Sequence, residues 1–162
     1  MKTEDMDSEP VAVHPNIMVG LIKTMRPHQW TKNALIFAPL FFDGQLTVLE
    51  SLLRVLVGFG LLCLMASSIY VINDLVDVKS DRMHPKKRHR PIASGLLPVP
   101  AATVAAFVLP VFALVGGLLM APAFALVLAV YFMLHVAYSF RLKHVPLIDI
   151  LSIAAGFVLR IA

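Results

Sequence analysis

The chain has 162 residues, of which 59% are hydrophobic and 15% are charged, and its mean hydropathy is +0.81. Soluble domains carry about a quarter charged residues, so this composition favours an integral membrane protein and argues against a soluble domain. The net charge of +4 does not indicate nucleic acid, because lysine and arginine also accumulate in the cytoplasmic loops of membrane proteins. The single cysteine, Cys63, excludes an internal disulfide and a cysteine-based zinc site, and it is predicted to be a small buried apolar residue.

Residues 1–16 are predicted to be a disordered polar tail. This segment contains four acidic residues and no apolar run, so it does not have the pattern of a cleaved signal peptide. Residues 17–162 are predicted to form one helical membrane domain, whose helices themselves direct insertion. The expected fold class is therefore an all-α, polytopic integral membrane helix bundle.

Five segments are apolar enough to span a bilayer, which requires about 20 residues per helix. The first is the most polar, because Lys23, Arg26 and Lys32 lie in its N-terminal half, and only residues 34–42 are expected to lie fully in hydrocarbon. The five predicted segments are residues 17–42, 52–72, 101–120, 123–140 and 146–162.

Prolines and a glycine pair mark the expected helix ends and contacts. Pro39 and Pro110 fall inside predicted spans, where each is expected to kink its helix. Gly116 and Gly117 are adjacent, and small residues of this kind let two helices approach closely. Helix starts are predicted at three other prolines, since a missing N–H is tolerated there: Pro98, Pro100 and Pro122.

The lysines and arginines indicate the orientation. They are concentrated in the N-terminal region, in the loop after the second predicted helix and in the loop after the fourth, whereas the intervening connections carry none. The positive-inside rule therefore places the N-terminus and the loop after the second helix in the cytoplasm, with the protein in the plasma (inner) membrane. The sequence ends at FVLRIA within the fifth apolar segment, which suggests a truncated protein or one half of a larger one.

Most of the polar chemistry lies in one stretch, NDLVDVKSDRMHPKKRHRPIASG, at residues 73–95. If the second helix continues through it, Asn73, Asp74, Asp77 and Asp81 share a stripe about 100° wide. The three aspartates form like-charge pairs at a helix C-terminus, which is unfavourable unless a cation binds. All-oxygen ligands suit Mg²⁺, Mn²⁺ or Ca²⁺, and the spacing is not that of an EF-hand. Mg²⁺ shared with a substrate diphosphate is the best chemical match.

A basic run follows the acidic stripe and ends in a loop shaped by proline and glycine. Its side chains are expected to neutralise phosphate oxygens, with arginine able to bind them bidentately. The alternative is anchoring to anionic membrane lipid. A nucleic-acid role is not expected, because the run lies between two predicted spans. The basic run consists of Arg82, Lys86, Lys87, Arg88 and Arg90. The fourth predicted helix ends on the same side of the membrane as this run, with four polar residues: Tyr138, Ser139, Arg141 and Lys143.

The motif Asn73-Asp74-x-x-Asp77-x-x-x-Asp81-Arg82, followed by a His-Pro pair and RPIASG, resembles the first aspartate-rich motif of the UbiA prenyltransferase superfamily. Two flanking stretches, RPHQWTKN at residues 26–33 and YSxxLK at residues 138–143, resemble the decaprenyl-phosphate phosphoribosyltransferase branch. The resemblance extends over about residues 23–162.

This resemblance implies a helical membrane fold around a central cavity, with about nine helices and a second acidic motif. Five helices and one motif are predicted here, so a homo-oligomer or a separate second half is expected to complete the metal site. The implied reaction is Mg²⁺-dependent, with Mn²⁺ as the alternative ion. It transfers 5-phosphoribose from phosphoribosyl pyrophosphate to a polyprenyl (decaprenyl) phosphate, a cell-wall precursor lipid. The alternatives are an aromatic prenyltransferase that uses a polyprenyl diphosphate, and an inactive fragment or non-catalytic membrane subunit.

The resemblance also assigns roles to individual residues. Asn73, Asp74, Asp77 and Asp81 are the implied metal and diphosphate ligands, and the three aspartates are the implied catalytic residues. The implied substrate-phosphate contacts are Lys87, Arg90 and Lys143. Lys32 and Arg82 are two further expected contacts with the substrate diphosphate.

Overall fold

The computed structural model describes residues 15–140, and every regular element in that range is a helix. The predicted polar tail up to residue 14, the fifth predicted span, Arg141 and Lys143 lie outside the described residues. The α-helices are α1 (Ile17–Met25), α2 (Ala38–Phe42), α3 (Leu49–Val76), α4 (Val78–Met83), α5 (Val99–Met120) and α6 (Pro122–Phe140). Three short 3₁₀ helices connect them, at Pro27–Phe37, Gln45–Thr47 and Lys87–His89.

The first predicted span is not a single helix. The side chain of Asn16 accepts a hydrogen bond from the N–H of Val19 and begins α1, which ends at Arg26. Arg26 has left-handed backbone angles, φ 53° and ψ 62°. The following Pro27 disfavours the right-handed helical region for Arg26, so α1 does not continue past this residue. The chain then continues as a 3₁₀ helix, and Pro39 is the second residue of α2. The prediction of one helix over residues 17–42 is therefore wrong, as is the expected kink at Pro39.

The second and third predicted spans are confirmed as helices. Among the described residues, α3 and α5 are long and apolar enough to cross a membrane, and the apolar part of α6, Pro122–Ala137, is shorter. Pro98 caps α5, Pro100 lies in its first turn, and Pro122 begins α6, as expected. Pro110 lies inside α5.

The core is organised around α3. Its buried residues Leu62, Met65 and Ile69 pack against Ala113 of α5 and Leu128 of α6. Because lipid tails are as apolar as leucine, close van der Waals packing holds such helices together. The glycine pair in α5 illustrates this: a Cβ at Gly116 would lie 2.6 Å from Leu61 Cδ2, and one at Gly117 would lie 3.0 Å from Leu128 Cδ1. The predicted close packing at these glycines is confirmed.

A second buried cluster joins the end of α3 to the loop before α5. It contains Val71 of α3, Ile92 and Leu97 of the loop, and Ala102 and Ala106 of α5. This packing holds the loop after α4 against the C-terminal end of α3. The loop residues that follow the acidic motif therefore have a fixed position relative to α3.

The 3₁₀ helix at Pro27–Phe37 is attached to α3 by side-chain hydrogen bonds. Trp30 Nε1 donates to Ser67 Oγ over 3.0 Å, and Ser67 Oγ in turn donates to the carbonyl oxygen of Met25 over 3.2 Å. Asn33 Nδ2 donates to Cys63 Sγ over 3.3 Å. Cys63 is buried, as predicted, and it also accepts a polar contact.

Candidate functional site

A polar cavity of about 240 Å³ lies at the C-terminal end of α3. The end of α1, the end of α3, the loop before α5 and the end of α6 all contribute to it. The side chains that line it are Arg26, Tyr70, Asn73, Asp74, Val76, Asp77, Arg90 and Ser139.

The acidic motif continues α3 with one interruption. The helix ends at Val76, and Asp77 has φ −89° and ψ 1°, close to but outside the helical range. The N–H of Asp77 still bonds the carbonyl oxygen of Asn73 over 3.0 Å, and the N–H of Asp81 bonds that of Asp77 over 2.8 Å. The chain therefore keeps a helical path into α4. Asn73, Asp74 and Asp77 reach the cavity together, whereas Asp81 is not among its lining residues.

Two arginines and two aspartates form a connected series of ion pairs in the site, in the order Arg26, Asp74, Arg90 and Asp81. Asp74 Oδ1 accepts from Arg26 Nη2 over 2.9 Å and from Arg90 Nη1 over 3.2 Å. Arg90 Nη1 also lies 2.8 Å from Asp81 Oδ2. The two carboxylates are almost inaccessible, with 2% of Asp74 and 1% of Asp81 exposed. A buried carboxylate is costly unless it is paired, so the two arginines are what permits its burial.

The loop after α4 directs Arg90 back towards the motif. His84 is extended and precedes Pro85, which ends α4. His84 Nδ1 then accepts hydrogen bonds from the N–H groups of Lys86 and Lys87, at 3.2 and 3.3 Å. A single 3₁₀ turn follows, and Arg90 itself is extended. The shaped loop expected from the proline and glycine pattern is confirmed, and its consequence is the position of Arg90.

The predicted phosphate-binding residues separate into two groups. Arg90 lines the cavity. Lys32, Arg82 and Lys87 are exposed and do not line it, and Arg82 Nε instead donates to the carbonyl oxygen of Ala93 over 3.4 Å. Lys143 lies outside the described residues.

Sequence reasoning did not place Arg26 or Tyr70 in the site. Arg26 belongs to the RPHQWTKN stretch, in the N-terminal half of the first predicted span. The Arg-Pro pair was the available signal, since it ends a helix and turns the arginine off its axis. Ser139, which is predicted to end the fourth helix on the side of the acidic motif, lines this cavity. Its hydroxyl lies within hydrogen-bonding reach of Asn73 Oδ1 and of the carbonyl oxygen of His135.

The oxygen atoms at the cavity suit a hard divalent cation, but they form an incomplete set. Within residues 15–140, no three His, Cys, Asp or Glu side chains lie close enough together to hold a metal ion. Asp81 Oδ1 is buried without a hydrogen-bond partner. Mg²⁺ is usually bound by one or two carboxylates, with substrate phosphates and water completing its shell. The residues at the cavity fit a cation of that kind.

An apolar groove of about 500 Å³ borders the polar cavity, and Val76 lines both. The groove lies between the end of α3, the middle of α5 and α6, and its lining includes Leu75, Phe107, Pro110 and Phe132. The two features together present polar ligands next to an apolar channel. This arrangement fits a substrate pair in which one molecule is an anion and the other carries a lipid chain.

The model of the UbiA prenyltransferase family matches residues 35–162, and the chain belongs to this family. It is therefore an integral membrane protein with a helical fold, of a family that generally uses divalent metal ions. The family resemblance read from the aspartate-rich motif is confirmed.

Several proteins are similar in sequence to most of this chain. The chain is 43% identical to decaprenyl-phosphate phosphoribosyltransferase from Mycolicibacterium smegmatis over 159 residues, which cover 95% of this chain and 50% of the relative. The enzyme of the same name from Corynebacterium glutamicum is 40% identical over 149 residues, covering 90% and 45%. Nodulation protein NoeC from Azorhizobium caulinodans is 35% identical over 138 residues, covering 84% and 44%. The chain spans about half the length of the curated relatives it matches.

Proposed function

We propose that the chain provides the donor-binding part of a membrane phosphoribosyltransferase. The donor is phosphoribosyl pyrophosphate, and the acceptor is a polyprenyl phosphate such as decaprenyl phosphate. The names of the relatives from M. smegmatis and C. glutamicum support this choice. The observation that supports it most directly is the polar cavity with Asn73, Asp77 and Arg90, placed next to an apolar groove.

In the proposed reaction, an oxygen of the lipid phosphate forms a bond to the anomeric carbon of the donor. The bond between that carbon and the diphosphate oxygen breaks, and pyrophosphate leaves with the electron pair. Arg90 donates N–H bonds to the phosphate oxygens on which negative charge increases. The apolar groove holds the isoprenoid chain and limits the access of water to the electron-poor carbon.

A divalent cation belongs to this proposal, with Mg²⁺ as the expected ion and Mn²⁺ as the alternative. Asn73 and Asp77 would hold it, because both line the cavity and each presents an oxygen ligand. When bound, the ion acts as a Lewis acid for the departing pyrophosphate. Asp74 and Asp81, the other two predicted ligands, are engaged by arginines, and we assign them to holding those arginines.

The exposed basic residues have a separate role in this proposal. Lys32, Arg82 and Lys87 lie outside the cavity lining and on the surface. We assign Arg82 and Lys87 to contacts with anionic lipid head groups at the cytoplasmic surface, where basic side chains are attracted to the membrane. The proposal includes a cytoplasmic location for the N-terminus and the acidic motif, which the positive-inside rule supports.

The function is tested by following label from phosphoribosyl pyrophosphate into solvent-extractable lipid, in membranes that contain decaprenyl phosphate. The chain is assayed alone and with the part of the M. smegmatis relative outside the matched region, because the chain spans about half of that relative. Wild type is compared with Asp77→Ala and with Asp43→Ala, which alters an exposed acid away from the cavity.

The proposal predicts Mg²⁺-dependent labelling that Asp77→Ala abolishes and Asp43→Ala preserves. Labelling that is unaffected by Asp77→Ala would contradict the proposed site. Transfer from a polyprenyl diphosphate to an aromatic acceptor, with no use of phosphoribosyl pyrophosphate, would support the aromatic prenyltransferase alternative.

A further inference from the structure

Arg26 stands out in the described residues because of its backbone. It is the one non-glycine residue between positions 15 and 140 with a positive φ. Left-handed backbone costs a non-glycine residue about 1–2 kcal/mol, and such positions are concentrated at active sites and ligand clamps. Two backbone hydrogen bonds hold this conformation. The N–H of Arg26 donates to the carbonyl oxygen of Lys23, and the carbonyl oxygen of Arg26 accepts from the N–H of Gln29. This backbone turn directs the Arg26 side chain towards α3.

The side chain of Arg26 is held in the cavity by two contacts. Its Nη2 donates to Asp74 Oδ1 over 2.9 Å, and its guanidinium lies 5.0 Å from the centre of the Tyr70 ring. The side chain is 29% exposed and lines the polar cavity. A guanidinium has five N–H donors, and the bond to Asp74 uses one of them. Donors therefore remain for a molecule in the cavity.

Arg26 and Arg90 come together at one oxygen. Both donate to Asp74 Oδ1, at 2.9 and 3.2 Å, from elements that lie before α3 and after α4. Two guanidinium groups this close repel each other unless anions lie between them. Asp74 provides one such anion on the buried side, and a ligand can provide another on the cavity side. Paired arginines with planar donor sets match the oxygens of a diphosphate.

We propose that Arg26 binds the diphosphate of the donor together with Arg90, and that Asp74 is the positioning residue that holds Arg26 in place. This assignment rests on the proposed function, because it places the donor's diphosphate in the polar cavity. It adds a phosphate-binding residue, and it gives Asp74 a role other than metal ligation. On the buried side, Arg26 and Arg90 both bind Asp74. On the cavity side, their remaining N–H donors bind the ligand.

The test is equilibrium binding of inorganic pyrophosphate to the full chain in lipid nanodiscs with Mn²⁺ present. A charge-assisted hydrogen bond contributes enough that Arg26→Gln should weaken binding about 10- to 100-fold. Arg54→Gln is the matched control, because Arg54 also pairs with an acid, Glu50, but lies outside the cavity lining. It should leave the affinity unchanged.

A double-mutant cycle distinguishes positioning from independent binding. If Asp74 acts through Arg26, Asp74→Asn should have much less effect in the Arg26→Gln background than in wild type. Fully additive effects would overturn the positioning role.

A measurement without substitution covers the case in which Arg26→Gln fails to fold. Pyrophosphate should slow the modification of Arg26 by phenylglyoxal, read by mass spectrometry, and should not slow that of Arg54.

The outcomes separate this inference from the proposed function. If wild type binds pyrophosphate, and Arg26→Gln binds it equally well or Arg26 is not protected, the assignment of Arg26 falls and the proposed function stands. If wild type does not bind pyrophosphate at all, both fall together.

Discussion

Arg90 Nη1 lies 2.8 Å from Asp81 Oδ2, so the loop after α4 closes back on α4 through a buried carboxylate. The same nitrogen also contacts Asp74 Oδ1, at 3.2 Å, on the last turn of α3. One side chain therefore joins α3, α4 and the loop. The geometry of the polar cavity depends on this connection, because Arg90 is itself one of the residues that line it.

Replacing Arg90 should destabilise the fold as well as weaken anion binding. Arg90→Gln leaves the carboxylates of Asp74 and Asp81 with weaker partners, and loss of a charged hydrogen bond costs about 1.5–3 kcal/mol. Thermal unfolding in detergent measures the effect. Arg88→Gln, at an exposed position of the same loop, should change stability by less than about 0.5 kcal/mol. Equal melting temperatures for the two variants would contradict the structural role of Arg90.

Asp77 should determine metal affinity. Asp77→Asn keeps the size of the side chain but removes the charge, and we expect Mn²⁺ affinity to fall at least about tenfold, as changes around metal ligands commonly do. Electron paramagnetic resonance of free and bound Mn²⁺ measures this directly. Asp43→Asn, an exposed acid on the connection after α2, is the control. If both substitutions have the same small effect, Asp77 is not a ligand.

The packing of α1 on the loop before α5 should not tolerate a methyl group. A Cβ at Gly20 would lie 2.9 Å from Leu97 Cβ and 3.1 Å from the carbonyl oxygen of Leu96. Overpacking of this kind costs about 1–3 kcal/mol, so Gly20→Ala should lower the unfolding temperature. Gly60→Ala is the matched control, because nothing lies within 4 Å of its Cβ position. The control should be neutral or slightly stabilising, since alanine favours helix by about 0.5–1 kcal/mol over glycine.

The hydrogen bond from Trp30 to Ser67 should stabilise the 3₁₀ helix against α3. Trp30→Phe removes this bond, at a cost of about 0.5–1.5 kcal/mol beyond any change in packing. Ser67→Ala removes it together with the bond from Ser67 Oγ to the carbonyl oxygen of Met25, so this substitution should cost more. The double variant should lose less than the sum of the two single losses, because the shared bond is lost only once. Unfolding curves of the four proteins provide the cycle. Strict additivity would indicate that the contact does not contribute to stability.

The long helices could be predicted from sequence, because the signal for each is local. The sequence predicts spans at residues 52–72 and 101–120; α3 extends the first by a few residues at both ends, and α5 begins two residues before the second and ends with it. The polar stripe of Asn73, Asp74 and Asp77 also followed from helical spacing alone. What local spacing missed was the pairing of Asp81 with Arg90, which engages Asp81 as a buried carboxylate outside the cavity lining.

The ion pairs could not be predicted in the same way. Arg26 and Asp74 are 48 positions apart, and their contact depends on how the turn at Arg26 packs against α3. All side chains of the basic run were expected to neutralise phosphate oxygens, because charge alone does not distinguish one basic residue from another. The fold distinguishes them: packing of Ile92 and Leu97 fixes the loop so that Arg90 faces inward, while Arg82 and Lys87 stay exposed.

Equilibrium binding of phosphoribosyl pyrophosphate to the full chain in lipid nanodiscs, measured with and without Mg²⁺, tests most directly whether the end of α3 binds the donor. We expect saturable binding that requires the ion, and we expect Asp77→Asn and Arg90→Gln each to weaken this binding about tenfold or more. Binding that is independent of Mg²⁺ and unchanged in both variants would contradict a donor site at the end of α3.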